Sequence, residues 1–180
     1  MKVGLVRHFE VECQMPNISK CMTPDQFRQW LQEYEMSDIK YGTLESNMIK
    51  WDKCYSSDLP RAIKTAQKIY DGQIIEVRAL RELIICPPTD INIKLPILMW
   101  LIFGRMAWML SHKSQLEDRL IFKERVKHIV EDLILKDDKN VLIVSHGFLM
   151  IFLRKALVKR GFKGPDFRKA ENGKLYIFEK

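Results

Sequence analysis

Two short apolar runs, each ending in a histidine, constrain this chain most. Val3–Val6 leads directly into Arg7-His8, and Val141–Val144 leads into Ser145-His146-Gly147. Runs of four apolar residues without polar alternation suit strands covered on both faces, as in parallel sheets packed between helices. Ligands of such open sheets bind beyond the carboxyl ends of the strands. Two strands ending in imidazoles therefore predict one site with two histidines, and Arg7 beside the first predicts an anionic ligand.

The stretches between these runs fit that architecture. Thr23-Pro24-Asp25-Gln26 reads as a helix start, with a Thr cap, Pro at the first helical position and Gln three residues after the cap. Phe27, Trp30, Leu31 and Tyr34 then share a helical face. Residues 53–56 read as a strand, Asp58 as the cap of a helix beginning at Pro60 with Gly72 as its stop, and residues 74–77 as a further strand. Ser114-Gln115-Leu116-Glu117 has the form of a capping box, followed by a helical stripe of Leu116, Leu120, Val126, Ile129, Val130 and Leu133. A helix over 148–158 follows the second histidine, and Asn172-Gly173 marks a turn before a last strand at 175–178. The alternation predicts an α/β fold, a three-layer α/β/α sandwich with a mostly parallel central sheet.

The chain has 180 residues, 47% hydrophobic and 29% charged. That suits one compact domain spanning 1–180, with an apolar insertion at about 88–112. The first residues enter a strand without a basic-then-apolar leader, and the four cysteines form no Cys-x-x-Cys pair. Free thiols in the cytoplasm are the expectation, with neither a zinc site nor a redox motif. The formal charge of +7 is concentrated late in the chain: residues 154–180 hold nine Lys or Arg against three acids. A solvated basic surface is the first reading and attraction of phosphorylated or polyanionic partners the second; without interleaved aromatics the stretch predicts no nucleic-acid partner.

Four blocks together carry a family resemblance. Arg7-His8-Phe9-Glu10 resembles the Arg-His-Gly-Glu signature of the histidine phosphatases, the phosphoglycerate mutase-like superfamily. Ser56-Ser57-Asp58-Leu59-Pro60-Arg61-Ala62-Ile63-Lys64-Thr65-Ala66 is similar to its Ser-Ser-x-x-x-Arg-Ala-x-x-Thr-Ala block. Leu80-Arg81-Glu82-Leu83 resembles the Leu-x-Glu segment that carries the acid, and Ser145-His146-Gly147 matches the late Ser-His-Gly block. The blocks stand in family order across residues 7–147, and the length of the chain suits the small bacterial-type phosphatase branch.

The resemblance implies the roles. His8 is the nucleophile that becomes a phosphohistidine. Arg7 and Arg61 clamp the phosphoryl group through guanidinium forks, Arg61 from the first turn of its helix. His146 donates to the phosphoryl oxygens in the transition state, and Gly147 lets the backbone approach closely. Glu82 is the leaving-group acid, with a surface pair to Arg81 as the competing reading. Ser57 joins the phosphate-binding set, while Phe9, Glu10, Asn17 and Trp100 are candidate substrate contacts. No metal or other cofactor is implied, because two arginines and two histidines already face the phosphate. His112 and His128 match no block and are read as surface residues.

The chain also departs from the pattern. Phe9 stands where the family has glycine, Val11 where Thr or Ser is usual, and Ile84-Ile85-Cys86-Pro87-Pro88 where small phosphatases carry Gly-x-Trp-x-Gly. Residues 97–110 are apolar nearly all round but too short to span a bilayer. A buried helix is the first reading of this segment, a substrate cover or homodimer contact the second, and interfacial attachment to a membrane the third. The expected function is hydrolysis of a small phosphorylated metabolite. The alternatives are a phosphomutase on the same site, disfavoured by chain length, and a catalytically silent phospho-ligand module.

Overall fold

The computed structural model describes residues 1–12, 20–40, 42, 49–136 and 139–180. In chain order the elements are β1 (Lys2–Arg7), β2 (Cys21–Met22), α1 (Pro24–Met36), β3 (Lys53–Ser56), α2 (Pro60–Ile69), β4 (Ile74–Glu76), β5 (Leu95–Pro96), α3 (Ile97–Met109), α4 (Arg119–His128), β6 (Val141–Ser145), α5 (Gly147–Lys159) and β7 (Leu175–Glu179). A short 3₁₀ turn covers Arg78–Leu80, and a π-helical turn, Ile129–Ile134, follows α4. The chain divides into two compact units. The first comprises residues 1–12, 38–82 and 124–180, and the second residues 13–37 and 83–123.

The first unit is built on a five-stranded sheet of order β4-β3-β6-β1-β7. Its strands are parallel except β7, which runs antiparallel to β1 on the edge. This is the mostly parallel α/β sheet that the sequence predicts. β1 and β6 lie side by side in its centre, and their inner residues are fully buried. Their register pairs Leu5 with Ile143 and Arg7 with Ser145. The residue after each strand is a histidine, so the register alone sets His8 and His146 beside each other at the carboxyl edge. Helix α2 packs its buried Ala62 and Ala66 against Val6, Cys54, Leu142 and Val144 of the sheet. Small side chains on the helix let it approach the branched strand residues closely.

Two details of this unit correct the sequence reading. Asp58 does not cap α2. Leu59 occupies the cap position with no side-chain bond, and the Asp58 carboxylate takes a two-pronged bond from Arg81, at 2.6 and 2.8 Å. A guanidinium fork binds a carboxylate more strongly than one backbone amide does. The helix also stops at Ile69, before Gly72.

The second unit holds α1, α3 and the two-stranded β2–β5 ribbon. The Thr23 capping box forms as expected, with Gln26 N donating to Thr23 Oγ1 and Thr23 N to Gln26 Oε1. Phe27 and Trp30 of α1 pack with Met22, Ile97 and Trp100. Residues 97–110 do form a helix, but one that is only partly buried. Ile97, Trp100, Gly104, Ala107 and Trp108 face inward, while Leu98, Ile102, Met106 and Met109 are exposed. No helix among the described residues is long and apolar enough to cross a membrane. The capping box at 114–117 does not form. Asp118 starts α4 instead, accepting from Leu120 N and Ile121 N, and Gln115 spends its amide on Cys86 N and O. The stripe shifts accordingly: Val126, Ile129 and Val130 are buried, but Leu116 and Leu120 are exposed. Cys21, Cys54 and Cys86 are free thiols, as expected of them.

Candidate active site

The site lies wholly within the first unit. His8 and His146 are 2% and 1% exposed, with ring centroids 5.1 Å apart. The backbone N of His8 donates to Ser145 O across the two central strands. Its ring Nδ1 lies 2.6 Å from Phe9 O. A carbonyl can only accept, so Nδ1 carries the proton and Nε2 keeps its lone pair. Burial, followed by the positive charge of Arg61 and then Arg7, pulls the His8 pKa down to about 3, against the raising effect of the Phe9 bond. His8 is therefore neutral at working pH. Burial first, then Arg61, His8, Arg7 and Arg125, likewise hold His146 well below the usual imidazole value.

Arg61 stands in the first turn of α2 and is buried. Arg7, at the end of β1, donates through Nη1 to Ala170 O, at 2.8 Å. Its guanidinium lies against Gly147, where an added Cβ would come within 3.3 Å of Cζ. The glycine of the Ser-His-Gly block thus leaves room for the arginine. Ser57 is fully buried, and its Oγ is 2.9 Å from His146 Nε2. Arg7 Nε and His146 Nδ1 are buried without a hydrogen-bond partner among the described residues. Buried polar groups rarely stay unmatched, and such orphans mark places where a ligand or water completes the bonding.

Glu82 reaches the same strand end by another route. Its two carboxylate oxygens accept from Phe148 N and Leu149 N, at 2.9 and 3.1 Å, in the first turn of α5, directly after His146. The turn that carries it is braced twice: Arg81 binds Asp58, and Arg125 Nη1 donates to both Ala79 O and Arg81 O.

Phe9 is 2% exposed, its ring seated between Gly42 and Gly173. A Cβ would stand 3.0 Å from that ring at Gly42 and 2.7 Å at Gly173. Phenylalanine in place of the usual glycine is thus accommodated by two glycines distant in the chain. Glu10 is exposed, with Lys40 Nζ 3.6 Å away. Trp100 is fully buried in the second unit, its indole N–H donating to Met22 O. Asn17 lies outside the described residues. His112 and His128 are exposed, as expected.

Sequence reasoning missed three supports of the site. Thr65 Oγ1 accepts from Phe9 N and donates to Arg61 O, tying the loop after β1 to α2. Asn172 Nδ2 donates to His8 O and Phe9 O, while Gly173, at φ +67°, donates its N–H to Arg7 O. Arg125 braces the Glu82 turn. The only sequence signal for these residues was local: Thr65 within the second block, and Asn172-Gly173 as a turn.

Residues 41–179 match the model of the histidine phosphatase superfamily (branch 1), so the chain belongs to that family and to its phosphoric monoester hydrolases. Arg7-His8 precedes the matched stretch; its place beside Ser145-His146 comes from the register of β1 with β6. No curated protein matches the chain. The fold is shared with the alpha-ribazole phosphatase from Shigella flexneri, at 17% identity and a TM-score of 0.62 over 98% of this chain and 89% of that one. It is shared also with the mycobacterial glucosyl-3-phosphoglycerate phosphatase, at 18% identity and a TM-score of 0.55 over 88% and 79%. A third likeness is the phosphoglycerate mutase from Bacillus anthracis str. Sterne, at 19% identity and a TM-score of 0.54 over 89% and 81%.

Proposed function

We propose that this protein hydrolyses a small phosphorylated metabolite through a phosphohistidine on His8 Nε2. The observation that carries the reading is the 2.6 Å bond from His8 Nδ1 to Phe9 O, which leaves Nε2 as the free, unprotonated nitrogen of a neutral imidazole. Nε2 attacks phosphorus and forms a P–N bond as the P–O ester bond breaks. The departing alkoxide takes a proton from Glu82 and leaves as an alcohol. Water then attacks the phosphohistidine and gives a proton to the Glu82 carboxylate, the P–N bond breaks, and phosphate leaves with the imidazole and the Glu82 acid restored. Arg7 and Arg61 offset the phosphoryl charge, and His146 donates to a phosphoryl oxygen. In the resting protein the Glu82 carboxylate accepts two α5 amides, so its work as an acid requires that it exchange one of those bonds for a proton.

The test is to quench the protein during turnover and measure its intact mass under alkaline conditions. An adduct of one phosphoryl group is expected, acid-labile and missing in His8→Ala, whose rate falls at least about a thousandfold. An adduct that survives in His8→Ala, or resists acid, overturns the reading. With Glu82→Gln, alkyl phosphates should lose far more rate than nitrophenyl phosphate, whose leaving group needs little proton help. Equal losses would remove Glu82 from the acid role.

A further inference from the structure

We infer that Ser57 is a positioning residue that acts through His146: its hydroxyl selects the Nδ1–H form of the ring and thereby aims a donor at the phosphoryl group. This rests on the reading of His146 as phosphoryl donor and adds which of its nitrogens donates and what decides it. Ser57 Oγ is fully buried. The backbone amide of Leu59 can only donate, and it points at Oγ from 3.4 Å. The other neighbour of Oγ is His146 Nε2, at 2.9 Å. If Nε2 carried the proton, the hydroxyl hydrogen would have no acceptor among the described residues. A buried donor left without an acceptor is costly. The hydroxyl therefore donates to Nε2. His146 is held neutral, so its one ring proton sits on Nδ1.

Nδ1 is buried and has no hydrogen-bond partner among the described residues. Arg7 Nε is in the same condition, and the His8 ring is 5.1 Å away. A phosphoryl oxygen held by Arg7 meets the need of both atoms. The two histidines then carry protons on the same ring position for opposite ends. His8 is locked by a carbonyl acceptor so that Nε2 is bare, and His146 is locked by a hydroxyl donor so that Nδ1 is armed.

The measurement is nitrogen NMR of the resting protein labelled at histidine, with His146 assigned by the signals missing in His146→Gln. There are only four histidines to resolve. The Nδ1–H form is expected for His146 in the wild type. Ser57→Ala should lose that preference and lower kcat on nitrophenyl phosphate by about 10–100-fold with KM within threefold, as when an interaction made in the transition state weakens. Ser57→Thr, which keeps a hydroxyl, should recover most of the rate. An Nε2–H signal in the wild type overturns the inference even if phosphatase activity is normal. So does a Ser57→Ala protein whose loss lies in KM, which would make Ser57 a direct phosphate ligand. Absence of any turnover by the wild type would instead strike the proposed function and leave the NMR result standing.

Discussion

The two units are insulated from water in different ways. Every fully buried polar or charged side chain among the described residues lies in the first unit: His8, Ser56, Ser57, Arg61, Thr65, Ser145 and His146. The second unit buries a cluster of Met22, Phe27, Trp30, Ile97 and Trp100. Burying a guanidinium and two imidazoles costs free energy unless each finds partners, so a fold accumulates such groups only where something offsets the cost. In the first unit backbone carbonyls, Thr65 and Ser57 offset part of it. The rest is left as bare polar atoms that an anion can satisfy. The second unit buries no ionisable group among the described residues, though the indole N–H of Trp30 is unmatched there, and its interior serves stability.

Exchange of roles between the units is the sharpest way to break this contrast. Trp100→Ala should cost about 3–5 kcal/mol, as for other buried aromatics. Urea unfolding measures the loss, and activity per folded molecule should keep the same ratio between small and bulky phosphomonoesters. A changed ratio without a stability loss would make Trp100 a substrate wall and dissolve the contrast.

A smaller effect is expected from the ion pairs. In the first unit Asp58 and Arg81 are 23% and 39% exposed. The hydrogen bonds from Arg81 are the largest cause holding the Asp58 carboxyl below its usual pKa. Its stabilisation is therefore present above the unfolded value of about 4 and is lost as pH falls through the lower folded value. Asp58→Asn should remove about 0.5–1 kcal/mol at neutral pH, discounted for its partial exposure. It should also flatten the acid limb of a stability profile taken from pH 6 to pH 2. The pair of Arg28 with Asp90 in the second unit is more exposed, at 40% and 86%, and Asp90→Asn should move the same profile less.

What could be read from the sequence was what local pattern encodes. The buried strands, their terminal histidines, the Thr23 capping box and the Arg61 helix all follow from runs of a few residues. The errors came where a residue with a good local option found a better distant one. Asp58 had a helix to cap and took Arg81 instead, 23 residues later. Gln115 sat inside a capping box and bonded to Cys86. Residues 97–110 read as buried because composition cannot say how much of a helix its neighbours cover. How Phe9 is housed where the family has glycine could not be read locally, because the two glycines that make room for its ring, Gly42 and Gly173, stand far from it in the chain.

The position of β1 has a consequence for how the protein comes into being. Its hydrogen-bonded neighbours, β6 and β7, begin at residues 141 and 175. During synthesis β1, with His8 directly behind it, leaves the ribosome with both edges bare and waits for the more than one hundred residues that lead to β6. Until β6 and β7 arrive, no Ser145 carbonyl holds the His8 amide, and no Asn172 spans the loop behind it. Pairings this far apart in sequence form slowly, and an unpaired apolar strand is open to the wrong partner in the meantime. Assembly of the catalytic edge is thus a late event, and a ribosome-bound chain halted before β6 should carry His8 without carrying activity.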